Sequence, residues 1–286
     1  MSDSKIHLVE CPRDAMQGWK HFVPTNKKIE YINSLLRVGF DTIDFGSFVS
    51  AKAIPQMADT REVIAGLNLE STHSRLLAII ANIRGAQDAV EYDEITYLGF
   101  PFSISQTFQL RNTNSSIETS FANLQQMMEI CSVKNTELVV YISMGFGNPY
   151  GDAYSEQIVF EWAEKISAVG VKIISLADTV GLAEPKQIGL ITKHLIDGLP
   201  GTQIGVHLHS TPHNREEKIK AALDAGCKRF DGALKGIGGC PMADDHLVGN
   251  MDTEWMIGYF RDLNLLSPLN EKALQQSLAL AEEIFK

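Results

Sequence analysis

Residues 137–144 read Glu137-Leu138-Val139-Val140-Tyr141-Ile142-Ser143-Met144. Apolar side chains occupy both sides of this run, whereas a strand with one wet face alternates apolar and polar residues. A strand with no wet face must be covered twice, and in parallel sheets helices provide the cover. The flanking stretches agree, since residues 115–133 and 155–168 carry the spacing of amphipathic helices. Moving outward, similar β-rich runs fall near 6–10, 42–47, 76–81, 94–100, 172–178, 203–209 and 229–234. Further helical patterns lie at 27–38, 186–196 and 214–225. Eight strand–helix units in 286 residues predict one domain over 1–286, a closed (β/α)8 TIM barrel with an additional C-terminal helix at 271–286. An open doubly wound sheet is the alternative, but no GxGxxG fingerprint follows the first strand.

The composition narrows the class. Hydrophobic residues at 44% and charged residues at 21% suit a large core and exclude a disordered chain. A net charge of −10 offers no general basic surface for nucleic acid or anionic lipid, so a phosphorylated ligand needs local cations. No apolar stretch is long enough to span a bilayer, and the few residues before the first strand give the expectation of no signal or transit peptide. Four cysteines, Cys11, Cys131, Cys227 and Cys240, form no CxxC pair. The expectation is a cytoplasmic protein with reduced thiols.

In such a barrel the chemistry collects where strands end at their C-terminal side. The first strand runs into Arg13-Asp14, the second carries Asp44, the sixth ends at Asp178-Thr179, and the seventh ends in His207-Leu208-His209. Residues i and i+2 of a strand share a face, so the two imidazoles can meet one metal. Asp14 and the amide of Asn250 would complete a mixed nitrogen and oxygen set. That set suits Mg2+ or Mn2+, with Zn2+ as the alternative. Read singly, each residue has an ordinary structural role: a hydrogen-bonded histidine pair, a helix-cap aspartate, a turn asparagine. Arg13 could stabilise an enolate. Cys240 lies in the glycine-rich stretch Gly236-Ile237-Gly238-Gly239-Cys240-Pro241, a loop able to approach a ligand, and is a candidate acid or base.

Together these segments resemble the 3-hydroxy-3-methylglutaryl-CoA lyase branch of the metal-dependent barrel lyases and acyl-CoA condensing enzymes. The resemblance runs from Val9 to about Glu254. It rests on Pro12-Arg13-Asp14-Ala15-Met16-Gln17, Ser47-Phe48-Val49-Ser50-Ala51-Lys52 with Ile54-Pro55-Gln56-Met57, and the segment from Arg111 to Glu118. Asp178-Thr179-Val180-Gly181, the histidine pair, Gly236 to Pro241 and Gly249-Asn250 follow in the family's order. It implies metal-dependent carbon–carbon cleavage of 3-hydroxy-3-methylglutaryl-CoA to acetyl-CoA and acetoacetate, with Asp14, His207, His209 and Asn250 as metal ligands. It also implies Arg13, Cys240, Asp44, Asp178 and His207 as catalytic residues, and Gln17, Lys20, Ser47, Asn112 and Thr179 at the substrate. A homo-oligomer, most simply a dimer, serving leucine breakdown and ketone-body formation goes with it.

This chain departs from the pattern in places. Ser210-Thr211-Pro212-His213 replaces Asp-Thr-Tyr-Gly, and Lys235 replaces a small residue. Met242 stands for Tyr, Asp44 for Glu, and Cys11 for glycine. Rival readings are an aldolase or acyl-CoA condensing enzyme on the same barrel, a metal-dependent hydrolase, and a non-catalytic scaffold. The hydrolases place their HxH pair on the first strand rather than the seventh, and a scaffold needs no metal set.

Overall fold

The structure is a computed structural model that describes residues 5–70, 72–239 and 248–286. Its strands are β1 (His7–Glu10), β2 (Thr42–Ser47), β3 (Arg75–Ile79), β4 (Ile95–Ser103), β5 (Glu137–Ser143), β6 (Ile173–Ala177), β7 (Gln203–His207) and β8 (Arg229–Gly232). All pair in parallel and in chain order, and β8 closes on β1 with Val9 opposite Asp231. The helices are α1 (Pro12–Gln17), α2 (Thr25–Leu36), α3 (Thr60–Ala65), α4 (Ile83–Ala89), α5 (Gln106–Thr113), α6 (Ile117–Lys134), α7 (Glu156–Ala168), α8 (Pro185–Gly198), α9 (Arg215–Asp224), α10 (Thr253–Asp262) and α11 (Glu271–Ile284). The barrel and the extra helix are those the sequence predicts. Helices α1, α3, α4, α5 and α10 are additional to the predicted ones. Most span only two turns, too short for a periodic apolar stripe to register.

β5 shows why its sequence is apolar throughout. Leu138, Val140 and Ile142 enter the layer between barrel and helices, while Val139 and Tyr141 join Leu77, Ile79, Tyr97 and Ile173 inside the barrel. Helix starts are closed by side chains. Ser105, Ser116, Ser155, Asp252 and Asn270 each accept a backbone N–H of the first turn of α5, α6, α7, α10 and α11. Among the described residues, no helix is long and apolar enough to cross a membrane.

One buried acid is the last residue of β1. Glu10 accepts the Leu234 backbone N–H at 2.9 Å. Burial pushes its carboxyl up to about 8, although Thr253 and the Leu234 amide pull the other way. The folded protein therefore binds this proton more tightly than the unfolded chain does. Its stabilising contribution is complete below pH 4.5 and is lost as pH rises towards 8. Relative to Glu10→Gln, the wild type should lose about 1.4 kcal/mol per pH unit across that window and level off above it. Urea unfolding of both proteins at a series of pH values measures the difference. A difference that does not change with pH would mean that Glu10 is ionised in the fold.

Candidate active site

A cavity of about 530 Å³ opens where the strands end, lined by Arg13, Asp14, Asp44, His207 and His209 among others. Its centre is built around Arg13. Pro12 starts α1 directly after β1, its fixed φ suiting a first helical turn, and this turn carries Arg13 and Asp14 to the mouth. Arg13 is buried. Its Nε donates to both oxygens of Asp44 at 3.2 and 3.0 Å, and Nη2 also donates to Asp44. Nη1 donates to Asp14 at 2.9 Å and to Gln17 at 2.8 Å. A guanidinium has five N–H groups, so one on Nη2 has no protein acceptor among these contacts.

The charges set one another. Burial works against ionising Arg13, but Asp44 and Asp14 outweigh it and hold the guanidinium firmly protonated. Burial would raise Asp14, yet Arg13, His207 and the Asn250 amide bring it down to about 2. Asp44 is pushed up to about 6 because burial exceeds the help from Arg13. The histidines diverge. Burial and the neighbouring His207 bring His209 down to about 4, whereas Asp231 and Asp14 overcome burial and raise His207.

Both rings are anchored by Nδ1. His209 Nδ1 lies 3.0 Å from the Val248 carbonyl and His207 Nδ1 lies 3.4 Å from Asp231. With Nδ1 turned to those acceptors, Nε2 is the nitrogen left to bind a metal, the arrangement that outer partners of ligating histidines commonly impose. Asn250 pairs with His209 in an isolated antiparallel bridge just beyond β7. Its Nδ2 donates to Asp14 at 2.7 Å and to the Ile237 carbonyl at 2.9 Å. Its Oδ1 is buried with no hydrogen-bond partner. An orphaned amide oxygen, a carboxylate and two imidazole nitrogens together fit a divalent cation.

Gly238 permits this closeness. A Cβ there would lie 2.7 Å from Asn250 Nδ2 and 2.9 Å from the Asp14 carbonyl, and the residue has φ +98°. Cys240 lies outside the described residues, as does Met242.

The other expected residues divide. Gln17, Asn112 and Thr179 line the cavity, and Arg111 adds a cation there. Lys20 is exposed and Ser47 is buried, and neither lines the cavity. The Ser47 hydroxyl is spent on the Ile79 carbonyl and the Val49 amide. Asp178 also stands behind the wall, because Lys218 of α9 reaches it at 2.7 Å and the His209 carbonyl at 2.8 Å. Lys218 and Asp231 escaped the sequence reading. Lys218 sits on the buried face of α9 beside Ile219 and Ala222, where a lysine is anomalous. Asp231 alternates with Arg229 on β8, both buried, and that in-facing polar pair was the available signal.

The whole chain can now be set beside known proteins. It matches the HMGL-like family over residues 6–280. It is 34% identical over 263 residues to the cytoplasmic 3-hydroxy-3-methylglutaryl-CoA lyase of Rattus norvegicus, covering 91% of this chain and 75% of that protein. It is 31% identical to a hydroxymethylglutaryl-CoA lyase of Bacillus subtilis, covering 99% and 94%. A solved HMG-CoA lyase from Acinetobacter baumannii, in complex with coenzyme A and 3-methylmalate, superposes with a TM-score of 0.92. That pair is 33% identical and covers 100% of this chain and 92% of the other. The carboxyl transferase domain of Rhizobium etli pyruvate carboxylase, at 14% identity and a TM-score of 0.69, shares the fold.

Lys218→Met should cost about 3–5 kcal/mol in denaturant unfolding, since it strands Asp178 as a buried charge. Adding Asp178→Asn should recover part of that loss. If the double variant is as unstable as the single, packing of the lysine stem is what α9 needs, and the ion pair is incidental.

Proposed function

The chain belongs to the HMGL-like family, and on that footing we propose that it is a carbon–carbon lyase cleaving 3-hydroxy-3-methylglutaryl-CoA to acetyl-CoA and acetoacetate. The observation that carries the reading is the one uncommitted N–H of Arg13, set beside Asp14, His207, His209 and the partnerless oxygen of Asn250. The relatives named above are lyases, which favours cleavage over the sister aldolase and condensing reactions.

The substrate carries a tertiary alcohol β to a thioester. Cleavage removes the hydroxyl proton and breaks the bond between the alcohol carbon and the thioester α-carbon. The alcohol carbon becomes the ketone of acetoacetate, and the electron pair passes to the acetyl-CoA enolate, which then takes a proton. Asp14, His207, His209 and Asn250 would hold a divalent cation, Mg2+ or Mn2+ with Zn2+ as the alternative, and such an ion acidifies and orients a hydroxyl. Arg13 meets the charge forming on the thioester oxygen with its free N–H. Asp44 and Gln17 hold the guanidinium in place beforehand, so no reorganisation is needed as the charge develops. Asp231 and the Val248 carbonyl keep both imidazoles turned Nε2-inward. Gln17 and Thr179 would bind the acyl portion, with Lys20, Asn112 and Arg111 towards the acyl-CoA entrance. Cys240, two residues beyond Gly238 in the chain, would deliver the final proton. Asp178 would act through the His209 backbone that Lys218 holds. The same reading takes a cytoplasmic homodimer as the working form and leucine breakdown with ketone-body formation as its setting.

Purified protein given 3-hydroxy-3-methylglutaryl-CoA should release acetoacetate and acetyl-CoA in equal amounts. A chelator should stop the reaction and Mg2+ or Mn2+ should restore it. No acetoacetate from metal-loaded protein, or full turnover from metal-stripped protein, would overturn the reading.

Arg13→Gln should lower kcat at least ~10²-fold, the scale for removing one preorganised stabiliser, with KM little changed. A raised KM at unchanged kcat would assign Arg13 to ground-state binding instead. Cys240→Ser should retain metal binding and lose most turnover, because a hydroxyl is a far weaker acid than a thiol. Wild-type rates from that variant would require a different proton donor.

A further inference from the structure

We propose that Cys11, His207 and Asp231 form a second cation site, set below the first inside the barrel, that takes a thiophilic divalent ion such as Zn2+ or Cd2+. The pairing of β1, β7 and β8 brings the three together. Asp231 stands opposite both Val9 and His207, and Cys11 follows Val9 by two residues, on the same inward side. One ligand atom from each residue lies within 4.8 Å of the others. Ligands on a tetrahedral zinc stand roughly 3.3–3.8 Å apart, given bonds of about 2.0–2.3 Å. Small side-chain rotations close that gap without moving a strand.

A second observation points to a ligand. The Asp231 side chain has no exposure, and neither of its oxygens has a partner at ordinary hydrogen-bond length and angle. Its nearest partner is His207 Nδ1, at 3.4 Å. A buried carboxylate held only by one long contact to an imidazole is poorly satisfied, and a cation among Asp231, Cys11 and His207 would satisfy it. His207 lines the cavity while Cys11 and Asp231 are buried behind it, so an ion reaches the pair past that ring.

The two sets differ in chemistry. Oxygen and nitrogen make the outer set suitable for Mg2+ or Mn2+, whereas a sulfur ligand tips the inner one to softer ions. On binding, the Cys11 thiol gives its proton to solvent and the thiolate, the His207 Nδ1 and the carboxylate become the ligands; with both sites filled the ring bridges as imidazolate, and its second proton also passes to solvent. The pattern this chain resembles has glycine at position 11, so the sulfur ligand is this protein's own. The sites share His207 through opposite ring nitrogens, and an inner ion would weaken the hold of Nε2 on the outer one. None of this depends on which bond the enzyme cleaves.

Cd2+ titrated into the protein in excess Mg2+ provides the test. One equivalent should produce the ultraviolet absorption of a cadmium–thiolate bond. That absorption should persist in Cys240→Ser, weaken in Asp231→Asn and vanish in Cys11→Ser. The 113Cd resonance of the wild type and of Cys240→Ser should report one sulfur ligand, which keeps the test decisive if Cys11→Ser does not fold. Absorption surviving in folded Cys11→Ser, absorption lost in Cys240→Ser, or a 113Cd shift of oxygen and nitrogen ligands only would each overturn the site.

Discussion

Arg13 leaves the first turn of α1 and crosses to Asp44 on β2, its Nε 3.0 Å from Oδ2 in a place almost closed to water. Neither charge would be tolerable there alone, because stripping one partner from a buried ion pair costs several kcal/mol. The pair thus pins α1 to the end of β2. From that anchor Asp14 is turned towards the histidines, Asn250 is turned onto Asp14, and Gly238 closes against both.

The electrostatics follow from the same crowding. Several carboxylates share a small volume with one guanidinium and two imidazoles, so the groups cannot all ionise freely. Asp14 keeps its charge through Arg13 and His207, and Asp44, although pushed up to about 6, stays mostly ionised at neutral pH opposite Arg13. One histidine becomes harder to protonate and its neighbour easier, an asymmetry set by Asp231 on one side and burial on the other. The chain as a whole is acidic, so any anionic ligand would depend on local cations such as Arg111 at the cavity wall.

Most of the scaffold was readable along the chain. The run at 137–144 anticipates β5 to within a residue, and the alternation around it anticipates a closed barrel. The run at 203–209 is longer than β7, which stops at His207; His209 instead bridges to Asn250. α1 was read as the polar end of a strand, since six residues opening with proline carry no helical period. α5 has few apolar residues to form a stripe, and its Ser105 cap is held by a partner distant in sequence, the hydroxyl donating to Asp152. Among site residues, those on strand ends were legible from their place in the pattern, and Lys218 and Asp231 were not.

Periodicity is a property of neighbours in sequence. It therefore identifies strands, helices and the closed parallel barrel, and it puts Arg13, Asp14, His207 and His209 at one rim. Contacts between distant residues obey no such period. Lys218 with Asp178, and Cys11 with His207 and Asp231, meet because barrel closure lays β1 beside β8 and β8 beside β7, and because α9 packs its inner face there. Burial then gives those meetings their energy, since a charge that would be solvated in an open chain must find a partner once water is excluded.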